Sequence, residues 1–298
     1  MLADDVCVQV AKLAATDTGR GSERLAAPVL TDLRRAVESL LASCGDLRVA
    51  ILTGFYIPRA DPPAAETDGP LGAVQLAAVL QSLGGRVTVV TDSHCAPVLR
   101  GSLDATQPDP GAIPIDLLVC DDPAEITLDL THAIAIERPG RSADGTYRNM
   151  YAADISGWCP PLDDWYAAVD AVTLAIGDGG NEAGMGRLDP ALVAAVVASG
   201  DVVQSGVTCD ALLVGGTSNW ATHALSAALV ASTGTRTGAA CLTEIWCRDV
   251  LAAGIHAGAV DGVSAQSTLS IDGLAWPDYW RIPAAINDLL DPRPTPAR

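Results

Sequence analysis

The chain has one lysine, Lys12, and one phenylalanine, Phe55, in 298 residues. The lone lysine removes two chemistries. A P-loop carries a lysine after its glycines, and a Schiff-base enzyme carries one in its pocket. Lys12 lies instead in an N-terminal segment with helical spacing, far along the chain from every glycine-rich turn. Aromatic residues make up only 4%, so the core must be assembled from Ala, Val, Leu and Ile. Positive charge is also scarce. Eighteen Lys+Arg oppose 36 Asp+Glu, and the formal net charge of −18 would repel a phosphate backbone, so no nucleic-acid partner is expected. No uncharged apolar run reaches the ~20 residues of a membrane span. The opening Met1-Leu2-Ala3-Asp4-Asp5 lacks the basic and apolar regions of a secretory signal. No CxxC pair occurs among the eight cysteines, and Cys120 and Cys241 sit inside apolar runs, so reduced thiols in a cytoplasmic protein are expected. Ala- and Arg-rich usage also fits a GC-rich bacterial coding bias, which says nothing about function.

What is present is enough apolar material for one large core: 49% hydrophobic and 18% charged residues. A single domain is expected, with a helical extension over 1–45, an α/β core over 46–291 and a proline-rich tail over 292–298. Helical spacing appears over 4–16 and 24–42. Leu30, Leu33, Val37, Leu40 and Leu41 form a stripe suited to covering a sheet edge or making a homodimer contact. From there, short apolar runs at 49–53, 87–91, 115–119, 133–136, 171–176 and 212–214 read as strands buried on both faces. Helical stretches at 70–83, 94–101, 163–170, 189–199 and 218–232 separate them. This alternation predicts a mostly parallel, doubly wound sheet of about six or more strands with helices on both faces.

Nearly every acidic-glycine cluster follows one of these strands, and in open parallel sheets ligands bind outside the strands' carboxyl ends. The clusters include Glu66-Thr67-Asp68-Gly69-Pro70, Asp92-Ser93-His94, Asp121-Asp122, Glu137-Arg138-Pro139-Gly140 and Gly215-Gly216-Thr217-Ser218-Asn219. The densest is Gly177-Asp178-Gly179-Gly180-Asn181-Glu182. Its glycines permit close approach to a ligand, and a short helix starting at Asn181-Glu182 would offer amides to an anion. A tight turn with an Asn cap explains the same residues. Glu182 stands where a dinucleotide fingerprint has its third glycine, and Gly216-Thr217-Ser218-Asn219-Trp220 lacks the last glycine of a nucleophile elbow. The four histidines show no metal-ligand spacing. His94 and His223 start predicted helices near the rim, His132 and His256 read as structural, and Cys159 is a weak nucleophile candidate with no neighbour to activate it.

With these residues in view, the chain from about 49 to 273 resembles the C-terminal domain of the D-glutamate cyclase family. The resemblance is carried by Thr53-Gly54-Phe55, by residues 66–73, by Ala135-Ile136-Glu137-Arg138-Pro139-Gly140 and by Tyr147-Arg148-Asn149-Met150. Asp154-Ile155, the long segment 177–186, Ser218-Asn219-Trp220 and Val260-Asp261-Gly262-Val263 complete it. Tyr151-Ala152-Ala153 departs from the arginine-glycine expected there, and 298 residues leave no room for the domain that precedes this one in the mitochondrial form. The resemblance implies a hydro-lyase that reversibly dehydrates D-glutamate to 5-oxo-D-proline, with a small amino acid as substrate. For that chemistry Glu182 and Glu137 are the candidate acid and base, in either order, with Asp178 beside them. Asp178 and Asp68 would bind the ammonium group or a divalent cation, Mg²⁺ or Mn²⁺. Arg138, Asn181 and the amides of Gly179 and Gly180 would hold carboxylates, with Glu66, Thr67, Ser218 and Asn219 completing the substrate site. Arg138 could equally be held in a salt bridge to a neighbouring acid. Two other readings compete. One is a metal-assisted hydrolase or phosphoryl-handling enzyme on the same rim, and the other is a non-catalytic amino acid-binding module.

Overall fold

A computed structural model describes residues 2–106 and 113–291, so the expected tail at 292–298 lies outside the described residues. Six strands form one parallel sheet: β1 (Arg48–Thr53), β2 (Arg86–Thr91), β3 (Asp116–Val119), β4 (His132–Ile136), β5 (Val172–Gly177) and β6 (Ala211–Val214). Their spatial order is β3-β2-β1-β4-β5-β6. The chain winds outward from β1 in one direction and then restarts beside it in the other, so β1 and β4 flank a topological switch point.

The strands are apolar throughout, but their two faces differ. In β4 the sequence His-Ala-Ile-Ala-Ile alternates small and large. Ile134 and Ile136 join Val49, Ile51, Val89, Leu174 and Ile176 against the helices Pro70–Ser82 and Ser218–Thr233. Ala133 and Ala135 join Ala50, Leu52 and Ala175 on the other face, where Leu25, Leu162, Tyr166 and Val193 cover them. The period-two alternation of a strand thus assigns bulk to one layer and close approach to the other. The helices Pro70–Ser82 and Ser218–Thr233 are Ala-rich and almost wholly buried. A Cβ at Gly72 would lie 2.8 Å from Asn219 Oδ1 and 2.9 Å from Thr222 Cβ, so glycine sets their spacing.

The helix expected over 24–42 is broken. Pro28 has no amide hydrogen to continue an α-helical ladder, and the segment resolves into Ser22–Ala26, a 3₁₀ turn at Ala27–Val29, and Asp32–Ala42. The apolar stripe is used inside the chain: Leu33, Val37 and Leu40 are buried, and helix Asp32–Ala42 covers the edge strand β6. Asp32 Oδ2 accepts from the Leu212 amide (3.1 Å) and Arg187 Nε (3.0 Å), pinning helix to strand. The N-terminal helices therefore contribute side chains to the core. His223 is not at a helix start but inside Ser218–Thr233, bonded to Gln75 and Asn287, and burial brings its pKa down to about 4. His132 is likewise structural, bonded to Ser39 and Thr131. Among the described residues, no helix is long and apolar enough to cross a membrane.

The connection after the first helix, Asp4–Ala14, runs onto the end of β6. The Gly216 amide donates to Ala14 O (2.8 Å), and Thr18 Oγ1 donates to Gly216 O (3.1 Å). A Cβ at Gly216 would lie 2.0 Å from the Thr16 carbonyl oxygen. Gly216→Ala is therefore expected to lift this connection and lower stability by about 2–3 kcal/mol, read from the midpoint of urea denaturation.

Candidate active site

At the carboxyl edge of the sheet, a cleft of about 510 Å³, mouth included, opens beside the switch point. Its inner wall carries Arg20, Glu66, Glu137, Asp178, Glu182 and Asp272, and its mouth carries Tyr56, Arg59, Asn149 and Tyr151. Acids outnumber bases, and the carboxylates are nearly all shielded from water. In such surroundings like charges cannot all ionise. Burial, reinforced by Asp178, Glu182 and Asp68, holds the Glu137 carboxyl well above the usual carboxylate range. Burial, then Asp272 and Asp68, does the same to Glu66. For Asp178, burial outweighs the opposing pull of Arg20.

Glu137 follows β4 directly, in the left-handed region at φ 44°. That conformation is uncommon for a residue with a Cβ, costs on the order of 1–3 kcal/mol, and persists where packing dictates it. Here it aims the side chain along the rim, where Ser218 Oγ donates a short hydrogen bond to its carboxylate. Gly69 (φ 91°) makes room, because a Cβ there would lie 2.8 Å from Glu137 Cβ.

The glycine loop after β5 does not open its amides to a ligand. The Gly179 and Gly180 amides donate to Glu182 Oε1 and Oε2 at 2.8 Å each, and the Asp178 amide approaches Oε1 at 3.4 Å. A Cβ at Gly177 or Gly179 would meet the Glu182 carboxylate at 3.1 Å. The glycines let the loop wrap its own glutamate, and no phosphate cradle is formed. No helix starts at Asn181-Glu182 either. Glu182 forms an isolated antiparallel bridge to Pro139, and the next helical turn is 3₁₀, Met185–Arg187.

Several expected substrate-binding residues hold the framework. The Ser218 and Asn219 amides donate to Asp68, and Asn219 Oδ1 accepts from the Gly69 and Gly72 amides. Each of the two buried helices thus has its N-terminus capped by a side chain from the other's N-terminal region, Asp68 from the entry loop of one and Asn219 from the first turn of the other. Thr67 Oγ1 donates to Ser270 O, and Asn181 Nδ2 to Arg148 O. Arg138 is turned out of the cleft. It is buried in an ion pair with Asp92, and it donates to Gly54 O (3.3 Å) and Pro160 O (2.6 Å). Losing either partner would strand a buried charge, at about 3–5 kcal/mol. His94 sits in the turn before helix Ala96–Asp104, packed against Tyr56 and Trp158 at 5.1 and 5.3 Å between ring centroids. Cys159 is buried with its thiol pushed up to about 12, which leaves no thiolate. Among the described residues no disulfide joins any two cysteines.

Two wall residues were not anticipated. Arg20 comes from the connection before helix Ser22–Ala26. Its Nη2 donates to Asp178 Oδ2 (2.6 Å), Asp272 Oδ2 (2.5 Å) and Gly216 O (3.1 Å). Asp272 sits at φ 53° in the turn of a two-stranded ribbon, Ser270–Ile271 with Leu274–Ala275. The acid-glycine pairing that marks the strand-end loops recurs at Asp272-Gly273, whereas nothing local distinguishes Arg20.

Fold and cleft together define a doubly wound α/β domain with a carboxylate-walled cleft at its switch point. The model of the D-glutamate cyclase-like, C-terminal family matches residues 10–287, and the chain belongs to that family. The human protein D-glutamate cyclase, mitochondrial, is 34% identical over 208 residues, covering 61% of this chain and 32% of the human one. The chain thus spans about a third of that relative's length.

Glu66 gives a test of the electrostatics. Its Oε1 is buried without a hydrogen-bond partner. Because the folded pKa is raised, ionising Glu66 destabilises the fold above that pKa and has no such effect below the unfolded value near 4.5. Glu66→Gln is expected to raise stability at pH 8 by on the order of 1–3 kcal/mol. The gain should vanish near pH 4 in parallel denaturation curves.

Proposed function

We propose that this chain is a hydro-lyase that interconverts D-glutamate and 5-oxo-D-proline plus water. The observation that carries this reading is the convergence of Glu137, Asp178 and Glu182, which offer carboxylate oxygens within 4.8 Å of one another in a buried cleft. Family membership and the relative's name support the same reaction class.

Ring closure forms the N–C bond to the carbon of the γ-carboxyl group, Cδ, and breaks one of its C–O bonds. The ammonium nitrogen gives up two protons in all, and the departing oxygen takes up two to leave as water. A carboxyl group kept protonated supplies one proton, and a fixed carboxylate removes another. Glu137, held toward its neutral form by burial, suits the donor role. Glu182, gripped by backbone amides, suits the acceptor role. After these two transfers the glutamates have exchanged protonation states; Glu137 then takes the second nitrogen proton and Glu182 gives its proton to the departing hydroxyl, which leaves as water and restores both. In the reverse direction the roles invert.

A divalent cation fits the group Glu137, Asp178 and Glu182 better than the overlapping group Asp68, Asp178 and Asp272. In the latter, two of the three acids, Asp178 and Asp272, share Arg20, against one in the former. A bound Mg²⁺ or Mn²⁺ would neutralise part of the acid wall and polarise a carboxylate oxygen.

Purified protein incubated with D-glutamate or 5-oxo-D-proline in Mn²⁺ should show interconversion by chiral chromatography, and the L-enantiomers should be poorer substrates. Glu137→Gln and Glu182→Gln should each lower kcat by about 10²–10⁴ with the fold retained by circular dichroism. Unchanged turnover in either variant overturns its role. Absence of conversion in both directions overturns the reaction. For the cation, Mn²⁺ should raise the wild-type Tm and Asp178→Asn should abolish that shift. An equal shift in the variant would sink the cation site.

A further inference from the structure

We infer that Arg20 is the specificity-determining residue of the cleft, and that it receives the α-carboxylate of the substrate. The inference rests on the proposed amino acid chemistry and deepens it.

The first observation is how the guanidinium is used. Of its five N–H donors, those on Nη2 serve Asp178, Asp272 and Gly216 O. Among the described residues, Nε and Nη1 make no hydrogen bond, although the side chain lines the cleft and is only 18% exposed. One nitrogen therefore anchors the group and the others remain available to a ligand.

The second observation is that the residue is built in place. Asp17 Oδ1 accepts from the amides of Gly19 (3.0 Å), Arg20 (2.9 Å) and Gly21 (2.8 Å), which fixes the turn. A Cβ at Gly21 would lie 2.3 Å from Val196 Cγ1, so the turn is wedged against the neighbouring helix. Together with the contacts at Gly216, this holds Arg20 against the acids from a segment outside the strand-end loops.

The third observation is charge balance. The cleft's other arginine, Arg59, is exposed at the mouth, where it donates to Gly262 O and Val263 O and lies over the Tyr151 ring. At the buried end, a substrate carboxylate has only Arg20 to offset Glu66, Glu137, Asp178, Glu182 and Asp272. An α-amino acid carries an ammonium and a carboxylate on one carbon. Arg20 beside Asp178 and Asp272 offers the complementary pair, because Oδ1 of each aspartate accepts no hydrogen bond among the described residues. The lactam N–H of the cyclic product can be received by the same aspartates. The second substrate carboxyl is then left to face Glu137 and Glu182.

The test compares 5-oxo-D-proline with its carboxamide, which keeps the ring and loses the anion. Isothermal titration in Mn²⁺ and in EDTA should show wild type binding the acid at least tenfold more tightly than the amide. Arg20→Gln should bring that ratio close to one. Arg20→Lys, which keeps the charge but cannot serve the aspartates and a ligand together, should fall between. A wild-type ratio near one overturns the inference without recourse to any variant, as does an Arg20→Gln ratio equal to that of wild type. A large ratio that depends on Arg20 in a protein without turnover keeps this assignment and removes the reaction. Turnover with a ratio near one keeps the reaction and removes the assignment. Binding of neither compound overturns both.

Discussion

The arrangement depends on one unequal exchange of charge. A single guanidinium, that of Arg20, bridges Asp178 and Asp272 at the inner end of a cleft whose other wall residues are also acids. Those three residues come from the connection between the first two helices, the loop after β5 and a ribbon near residue 272. The bridge thus ties three distant stretches of chain to one point. Burying acids so close together is costly, and four of them, Glu66, Asp68, Glu137 and Asp178, are pushed toward their neutral forms. A chain selected for stability alone would place apolar residues here. Under the proposed function, keeping the acids would serve a chemistry that needs protons.

The framework that bears this load is made largely of small residues. Alanines on one face of β1, β4 and β5 let covering elements approach closely, while isoleucine, valine and leucine on the other fill the space under two buried helices. Those helices hold each other's ends through Asp68 and Asn219. Residues with an obvious capacity to bind a ligand are thereby committed to backbone amides. Arg138 is similarly committed, joining the ends of β1 and β2 to the turn at Pro160. The polar groups of the rim therefore divide into those that shape the cleft and those that face it, and residue type alone does not separate them.

That division explains what could be read from sequence. Strand positions, parallel winding and the convergence of Glu66, Glu137, Asp178 and Glu182 on one edge follow from periodicity and from the rule that strand ends carry sites. The family resemblance extends them, and the matched region, residues 10–287, is wider than the resembling motifs. Partner choice could not be read. Whether Arg138 meets a substrate or Asp92 depends on contacts 46 residues apart. Asp121 and Asp122 follow a strand too, but they bond the Ser93 and Ala124 amides at the far side of the sheet. Arg20 was hidden because it enters from helices that looked like packing material, and its meaning appears only once Gly216 and the acids lie beside it.

The glycine loop shows most clearly how geometry redirects a motif. Dense glycines before a polar pair suggest amides waiting for an anion, yet here the anion is the loop's own Glu182. Enclosing a carboxylate in this way fixes its position without lysine or metal, because backbone donors cannot drift as a long cation can. It also removes those donors from ligand recognition, so under the proposed reaction a substrate carboxylate would have to find a side-chain partner. Glu137 lies close by with different support, a serine hydroxyl and a strained backbone in place of amides. The two glutamates are thus held by different groups. The acid–base asymmetry that the proposed lactam formation would require could then come from how each side chain is held, and not from the residue chosen.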